Sequence, residues 1–374
     1  MQLGSVALPV DRSERPVPGM AYRQIGVRLW GEGAYERATI DGGETKYAQL
    51  FKTQVDDIIV NKIWARNGSV AVVNAALDGC YGSGEFPMFA VIKERLAPAW
   101  VHWLTKTPWF WSQCDEKSRG TSGKNRIRPE QFLEIEIPLP PLLEQQALVG
   151  RLDSLANNLG KVTAHLDEID LDTKRLLAGR FRHAIDGAAY RPMAAVAPTI
   201  RRSVTIDNTM RYREVGARSF GKGLFLKPDF VGAEATWEKP VWVEQGDLVL
   251  SNIKAWEGAI AVAGPKHDRC IASHRYITCV PRYDVATSGF LGYYFLTQDG
   301  LDKIGVASPG TADRNRTLSL SNLGKIDVPV PMLSKQQAFD ALQAKVADIA
   351  AQRAAVRQVT AALIPAMLGR VFGS

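Results

Sequence analysis

The sequence predicts an α+β protein in which two tandem-repeat domains of mixed helix and strand are joined by two long helices. These helices are expected to form an antiparallel coiled coil with pseudo-two-fold symmetry. Three observations lead to this fold class: the chain repeats itself at a spacing of 190 residues, each copy mixes β-branched with aromatic-rich segments, and an apolar heptad pattern follows a proline-rich hinge in each copy.

The repeat extends in one register over about a hundred residues. The stretch GVRLWGEG at 26–33 returns as GARSFGKG at 216–223, and Asp57 and Cys80 match Asp247 and Cys270. After a slip of one residue, IPLPPLLEQQA at 137–147 reappears as VPVPMLSKQQA at 328–338. A period of this length exceeds that of solenoid repeats, so each copy is expected to be a domain with its own core.

Within each copy, strands are expected first and helices later. DDIIVNKIW and SVAVVNAAL, like GDLVLSNIK and AIAVAG in the second copy, are short and rich in β-branched residues. PAWVHWLTKTPWFWSQ and SGFLGYYFLTQDGLDKIG favour amphipathic helices. The expected organisation is a first domain at 1–140, a central long helix at 141–187, a second domain at 188–331 and a C-terminal long helix at 332–374.

Each hinge is followed by a heptad seam. Its apolar residues run from Leu148 to Ile169 in the central segment and from Phe339 to Leu363 in the C-terminal segment, where Arg353 interrupts the stripe. Pro365 is expected to kink or end the second helix. Because neither helix buries its seam alone, antiparallel pairing over about 55 Å is expected; the alternative is that each helix packs on its own domain. Further apolar residues are expected either to receive partner helices or to pack on the chain's own domains: Leu176, Leu177, Phe181, Ile185, Leu368, Val371 and Phe372.

Composition narrows the protein class. The 374 residues are 46% hydrophobic and 23% charged, which is typical of globular rather than disordered or fibrous chains. No signal peptide or membrane-spanning run is recognisable, so a cytoplasmic location is expected. The four cysteines lack zinc-site spacing and are expected to be small buried residues. The formal net charge of +7 hints at an anionic partner.

Patterns typical of catalysis are scarce in the sequence. GxGxxG after a strand, P-loop, HExxH and GxSxG patterns are missing, and the five histidines have no ligand-like spacing. We therefore expect no catalytic residue, no metal and no cofactor in this chain.

The segment KSRGTSGKNRIR at 117–128 indicates contact with nucleic acid. Glycines let a backbone approach phosphates closely, while basic, hydroxyl and amide groups donate to them. The candidate residues in the first copy are Lys117, Arg119, Thr121, Lys124, Asn125 and Arg126. The matching segment SPGTADRNR at 308–316 adds Thr311, Arg314, Asn315 and Arg316. The alternative is an ordinary solvated loop.

A second candidate is the turn NKIWARNG at 61–68, which matches SNIKAWEG at 251–258. The scaffold residues Ile and Ala are kept, whereas Lys62, Trp64 and Arg66 are replaced by Asn252, Lys254 and Trp256. Arg, Lys and Asn are side chains that hydrogen-bond to base edges in the major groove. Such divergence on a retained frame is expected of two domains that recognise different sequences; drift on an exposed turn is the alternative.

With these features the chain resembles, over nearly its whole length, the specificity subunits of Type I restriction-modification systems. The most specific mark is the hinge and helix start, with Pro140-Pro141 and Glu144-Gln145 in the first copy. The second copy has Met332 and Lys335 at the corresponding positions, so its helix start is expected to be capped differently. The resemblance implies two target-recognition domains that bind a bipartite, asymmetric DNA site, in a subunit that is not itself an enzyme.

The resemblance also implies the partners. These are double-stranded DNA, two methyltransferase subunits that use S-adenosylmethionine, and an ATP-driven restriction (translocase) subunit, with no membrane involved. Two alternatives remain at this point: a fused restriction or nicking enzyme with an unrecognised catalytic site, and a coiled-coil scaffold that binds only protein. Cleavage or methylation by the purified chain would favour the first, whereas salt-dependent DNA binding would exclude the second.

Overall fold

The computed structural model describes residues 1–118, 125–235, 239–310 and 316–373, which divide into two compact units. Unit 1 comprises Met1–Leu166 and Ala354–Ser374, and unit 2 comprises Asp167–Arg353. Each unit thus combines the globular part of one sequence copy with segments of both long helices. The predicted fold class, mixed helix and strand with two long helices, is confirmed. In the part of the chain that the structure describes, no helix has the length and hydropathy needed to cross a membrane.

Unit 1 is built from short strands followed by helices. Its strands are β1 (Ala7–Val10), β2 (Ser13–Glu14), β3 (Ala21–Tyr22), β4 (Ile25–Val27), β5 (Ala34–Glu36), β6 (Ile40–Asp41), β7 (Leu50–Lys52), β8 (Ile58–Val60), β9 (Val70–Val72), β10 (Tyr81–Gly82) and β11 (Met88–Val91). Its helices are α1 (Pro98–Leu104), α2 (Pro108–Ser118), α3 (Pro129–Leu133) and the first part of α4 (Leu142–Ile185). The central sheet is antiparallel in the order β1-β11-β8-β9.

Unit 2 repeats this order of elements. Its strands are β12 (Ala189–Pro192), β13 (Arg211–Tyr212), β14 (Val215–Ala217), β15 (Leu224–Leu226), β16 (Phe230–Val231), β17 (Val241–Val243), β18 (Leu248–Ser251), β19 (Ile260–Val262), β20 (Cys270–Ala272), β21 (Tyr276–Cys279) and β22 (Asp327–Val330). Its helices are the last part of α4, α5 (Met193–Val196), α6 (Ser288–Phe295), α7 (Gln298–Ala307), α8 (Leu320–Gly324) and the first part of α9 (Leu333–Phe372). Its central sheet has the antiparallel order β19-β18-β21.

The strands and helices predicted in each copy lie where the sequence pattern placed them, but each aromatic-rich stretch forms two helices rather than one. Threonine side chains cap the second helix at each break: Thr107 Oγ1 accepts from Phe110 N at 3.2 Å, and Thr297 Oγ1 accepts from Gly300 N at 3.2 Å. Such a cap satisfies one of the unpaired amides of a helix start. All four cysteines are buried, as expected.

The long-helix segments run antiparallel within each unit. In unit 1, Leu152 shares a core with Leu368 and Phe372, and farther along α4 Thr163 lines a groove with Arg357 and Thr360. As α4 advances, its neighbours on α9 therefore come earlier in the sequence. In unit 2, Phe181 of α4 contacts Phe339 of α9 edge to face, with ring centroids 5.4 Å apart. Both expected modes of burial occur, because these segments pack on each other and on the domain beside them.

The structure decides between alternatives that the sequence left open at the helix ends. The second long helix does not end at Pro365 but continues to Phe372, because the residues around the proline pack on the core of unit 1. Of the two roles expected for the further apolar residues, most take the second and pack on the chain's own cores. Phe181, Leu368 and Phe372 are buried, and Leu177, Ile185 and Val371 pack against the same cores, whereas Leu176 is exposed.

A buried glutamine holds the start of each long helix. Gln145 Oε1 accepts from Ala97 N at 3.0 Å, while its Nε2 donates to Arg95 O and Pro140 O at 2.8 Å each. In unit 2 the Gln336 amide makes the same three bonds, with Thr287 N (3.1 Å), Val285 O (3.0 Å) and Pro331 O (2.8 Å). The second helix start is therefore held in the same way as the first, despite Met332 and Lys335, and the expectation of a different arrangement is wrong for this contact.

Other repeated residues also belong to the scaffold. Asp57 is buried and paired with Arg12 at 2.6 Å, and Asp247 is paired with Arg202 at 2.8 Å. The repeated tyrosines are buried too, and each hydroxyl accepts a hydrogen bond from a backbone amide. Tyr22 accepts from Val17 N at 3.1 Å, and Tyr212 accepts from Asp207 N at 2.9 Å. The repeat thus marks positions at which a buried polar group requires a fixed partner.

Candidate nucleic-acid interface

The predicted turn of unit 1 follows directly from strand β8. Asn61 shapes it, because Asn61 Oδ1 accepts from Ile63 N at 3.1 Å and from Trp64 N at 3.3 Å. The turn closes at Gly68, whose φ of 71° is readily adopted only by glycine. Trp64 is exposed on the outside of this turn, and Lys62 and Arg66 are half-buried.

The second predicted segment returns to lie beside this turn. Lys62 N donates to Glu85 O, and Lys62 O accepts from Ile127 N, both at 3.0 Å. Asn125 and Arg126 immediately precede Ile127, so the structure brings part of the basic segment against the turn. Arg126 is exposed and its Nη1 lies 3.1 Å from Glu85 Oε1.

Lys117 occupies the last turn of α2. Its Nζ lies 2.7 Å from Glu134 Oε2, and the two side chains are 39% and 50% exposed. An exposed pair of this kind contributes little to stability, so the ammonium group remains available to a phosphate. Arg119, Thr121, Lys124, Thr311, Arg314 and Asn315 lie outside the described residues.

Unit 2 contains the same junction with different side chains. Asn252 N donates to Arg275 O at 2.8 Å, and Asn252 O accepts from Leu318 N at 2.7 Å. Asn252 and Arg275 thus take the places of Lys62 and Glu85. By these bonds Leu318 is the equivalent of Ile127, which is an offset of 191 residues instead of 190. The one-residue slip in the repeat therefore precedes Ile127 and Leu318. As a result, Thr317 and not Arg316 occupies the position of Arg126.

Two buried acceptors lie at these junctions. Within the described residues, no hydrogen-bond donor reaches Glu85 Oε2 in unit 1 or Asn252 Oδ1 in unit 2. Buried polar atoms are normally paired, so each of these acceptors is suited to a donor from outside the chain. Sequence reasoning missed Glu85 and Arg275, because a single charged residue in a loop between two strands forms no local pattern.

The remaining candidates of unit 2 form a stack around Trp256. Lys254 Nζ lies 5.2 Å and Arg316 Cζ 4.8 Å from the centre of the Trp256 ring. Lys254 also pairs with Glu257 at 2.5 Å, and this hydrogen bond lowers the pKa of the Glu257 carboxyl. Arg316 Nη2 donates to Gly305 O at 2.8 Å. These head groups therefore have partners within unit 2, and their contact with DNA stays a prediction.

In unit 1 the equivalent surface is an open cavity lined by tryptophans. Trp30, Trp64 and Trp111 surround it together with Arg66. The rings of Trp30 and Trp111 meet edge to face, with centroids 5.3 Å apart. A side chain at Gly68 would collide with the Trp111 ring, whose nearest atom lies 2.5 Å from an added Cβ. The sequence signal for this cavity was the repeated stretch at 26–33, which contains Trp30.

The described residues contain no candidate metal site at this surface. Across residues 1–118, 125–235, 239–310 and 316–373, no group of three or more His, Cys, Asp or Glu side chains is arranged to hold a metal ion. The groups present at the two junctions are hydrogen-bonding, cationic and aromatic, as nucleic-acid binding requires.

Comparison with known proteins points in the same direction. Residues 20–170 match the family described as the Type I restriction modification DNA specificity domain. The specificity subunit of the Type I restriction enzyme StySPI from Salmonella potsdam is 31% identical over 97 residues, which are 26% of this chain and 20% of that subunit. The specificity subunit of EcoKI from Escherichia coli K12 is 33% identical over 86 residues, 23% of this chain and 17% of that subunit. The aligned segments thus span about a fifth of these relatives.

Solved structures resemble the chain over nearly its whole length. The HsdS subunit from Thermoanaerobacter tengcongensis has a TM-score of 0.62 at 19% identity, covering 99% of this chain and 94% of that one. A chain from a study of complex assembly and conformational transition of the type I R-M system has a TM-score of 0.67 at 19% identity, covering 99% and 96%. At 19% identity, the structural similarity shows that the fold is shared.

Proposed function

We propose that the chain, whose residues 20–170 match the Type I restriction modification DNA specificity domain, is a specificity subunit of this kind and binds double-stranded DNA at a bipartite, asymmetric site. Unit 1 contacts one half-site and unit 2 the other. In this proposal the chain selects the DNA site, and other subunits carry out methylation and cleavage.

The observation that carries this proposal is the pair of equivalent junctions. In each unit the same two backbone hydrogen bonds hold a turn residue between the loop that precedes β11 or β21 and a returning segment. The side chains on this frame are Lys62 and Glu85 in one unit and Asn252 and Arg275 in the other. Lys and Arg pair with guanine, Asn with adenine and Glu with cytosine in the major groove. One frame with different base-edge groups suits two half-sites of different sequence.

The proposed DNA contacts divide into two kinds. The junctions and turns supply base contacts, and the basic segments supply phosphate contacts, which set affinity but not sequence preference. The complete set is Lys62, Trp64, Arg66, Lys117, Arg119, Thr121, Lys124, Asn125, Arg126, Asn252, Lys254, Trp256, Thr311, Arg314, Asn315 and Arg316.

The long-helix segments supply the proposed surface for partner subunits. Each unit exposes apolar side chains there: Val162, Val356, Val359 and Leu363 in unit 1, and Ile169, Leu171, Leu176 and Ile349 in unit 2. Apolar side chains along a helix pair suit further helices that complete a bundle. We propose that two S-adenosylmethionine-dependent methyltransferase subunits pack there, with a restriction subunit in the full complex.

Selection from a pool of random duplexes with the purified full chain tests the DNA-binding proposal. The enriched duplexes should carry two short specified segments separated by a fixed number of unspecified base pairs. Affinity should fall with salt, with a log-log slope of about −0.9 per phosphate contact. Exchange of residues 188–331 for those of a relative with another specificity should change only one segment. A single uninterrupted site, or a change in both segments, would contradict the proposal.

Methylation assays test the division of labour. The purified chain with S-adenosylmethionine should give no methylated DNA, and product should appear only when the partner methyltransferase is added. Methylated or cleaved DNA from the chain alone, with contaminating enzyme excluded, would show that the chain has its own catalytic site.

A further inference from the structure

Each unit carries an aromatic residue at a corner where the backbone is left-handed. Trp30 has a φ of 57° and precedes Gly31 at 67°, and Phe220 has a φ of 61° and precedes Gly221 at 64°. The two corners occupy the same place in the repeated stretches at 26–33 and 216–223. This region of φ is unfavourable for bulky L side chains. For folding alone, glycine would be the better residue at both positions.

Packing does not explain the choice of an aromatic residue. The Phe220 side chain is 75% exposed, and neither apolar core of unit 2, as far as the structure describes the chain, includes it. Trp30 touches Trp111 with one edge but is still 52% exposed. Both copies therefore keep an exposed ring on a strained backbone, which indicates a role outside the folded core.

Both corners are bonded to the turns of the candidate interface. Trp30 N donates to Asn67 O at 2.7 Å, and Gly31 N donates to Gly68 O at 3.0 Å. The equivalent bonds of unit 2 join Phe220 N to Glu257 O at 2.8 Å and Gly221 N to Gly258 O at 2.9 Å. Each ring is thus fixed to the turn that carries the proposed base contacts.

Cations accompany both rings. Lys222 Nζ lies 5.9 Å from the centre of the Phe220 ring. In unit 1, Arg66 lines the cavity beside Trp30, as does Asp115, and Lys106 Nζ donates to the backbone carbonyl of Gly31 in the same corner at 3.0 Å. An aromatic ring displayed among cations is the combination that binds a polyanion with stacked bases.

We propose that Trp30 and Phe220 stack on bases of the bound DNA and provide one sequence-tolerant contact in each half-site. This inference depends on the proposed function, since it concerns the same surface. In a duplex this contact requires the ring to insert at a partly unstacked base step, as apolar side chains do in kinked DNA. Every base then offers a π face, so the contact remains useful whatever the neighbouring residues recognise. That explains why an aromatic ring is kept at this position while the polar residues of the adjoining turns differ.

Substitution of each ring in the full chain tests the proposal. F220G and W30A should each weaken binding about tenfold, and by the same factor for the selected site and for a random duplex. W30F, which installs the aromatic residue of the second copy, should bind within about twofold of the wild type. Because glycine relieves the strained φ, F220G should unfold at the same or a higher temperature. Y283A is the control, since Tyr283 is an exposed aromatic residue elsewhere in unit 2.

A duplex with 2-aminopurine at successive positions locates the contact. Fluorescence should change on binding of the wild type at one position in each half-site, and F220G should abolish one of these changes. Wild-type affinity in F220G and W30A, with specific binding by the wild type intact, would overturn the stacking proposal and leave the proposed function standing. Failure of the wild type to bind DNA would overturn both.

Two further outcomes would also overturn the stacking proposal. If F220G loses affinity together with thermal stability, Phe220 acts in folding. If the variants bind DNA normally but no longer co-purify with the partner methyltransferase, the rings contact protein instead of DNA.

Discussion

Replacement of the buried glutamine at the start of the first long helix should destabilise unit 1 substantially. The Gln145 side chain is fully buried and joins three backbone groups that no element of regular structure pairs: the amide of Ala97 and the carbonyls of Arg95 and Pro140. In Q145L, a side chain of similar size fills the space but makes none of these bonds.

The expected loss follows from those three bonds. Each hydrogen bond contributes about 1 kcal/mol net, so Q145L should lower the free energy of unfolding by about 3 kcal/mol. The bonds are only partly buried, so water can reach some of the released groups and keep the cost near this value. Q145E should be at least as harmful, because it exchanges two donated bonds for a carboxylate in a buried position.

The chain provides a matched control at the next residue. Gln146 is exposed, so Q146L should change the free energy of unfolding by no more than about 0.5 kcal/mol. In unit 2 the pair Q336L and Q337L repeats the comparison, since Gln336 is buried and Gln337 exposed. Hydrogen exchange measured by mass spectrometry reports each unit separately in the intact chain. Equal effects of Q145L and Q146L would refute the assignment of the glutamine as the contact that holds the helix start.

Three other predictions concern recognition, the helix pair and pH. K62N, which installs the residue of the second copy, should shift base preference within one half-site by about 1–3 kcal/mol. K117A should instead weaken binding to all duplexes alike and reduce the slope of log affinity against log salt by about one. Competition binding on a panel of single-base variants distinguishes the two effects. Buried Arg353 lies 2.9 Å from Asp170, so R353E should cost about 3 kcal/mol in urea unfolding and R353E/D170R should recover most of it; an unaffected R353E would show that the pair is dispensable. Burial, with a smaller contribution from Lys106, lowers the pKa of His102. The unfolded chain therefore takes up this proton first, and unit 1 should lose stability as the pH falls below about 6.5. H102Q should weaken that loss in urea titrations between pH 5 and 7.5, and a profile like that of the exposed-site control H183Q would contradict the assignment.

The parts of the fold that could be predicted are those with a local signal. Heptad spacing identified both long helices, and β-branched runs identified strands such as β8 and β18. The break between α1 and α2 also had a local signal, because Thr107 followed by Pro108 is a typical helix start. The continuation of α9 through Pro365 had none, because it depends on tertiary contacts of the flanking residues with the core of unit 1.

The candidate site was predictable only in part, for a related reason. Sequence identified two separate segments, but their meeting depends on the bond between Lys62 and Ile127, which are far apart in the chain. Glu85 is brought to the same place by the hydrogen bond from Lys62 N to Glu85 O, and the residues around Glu85 form no pattern that predicts this contact. Arg316 shows the reverse. Its neighbours in the sequence suggest a solvent-exposed basic side chain, but its guanidinium group lies on the Trp256 ring and donates to the Gly305 carbonyl of α7.

The internal repeat separates two kinds of position that a single copy would leave mixed. Where both copies keep the residue, as at Gln145 and Gln336, the side chain satisfies buried backbone groups, and any change disturbs the fold. Where the copies keep only the backbone bonds, as at Lys62 and Asn252, the frame does not depend on the side chain. The residues at the junctions are therefore free to change without loss of the frame. Under the proposed function, we expect a new DNA preference to require substitution there and not in the scaffold.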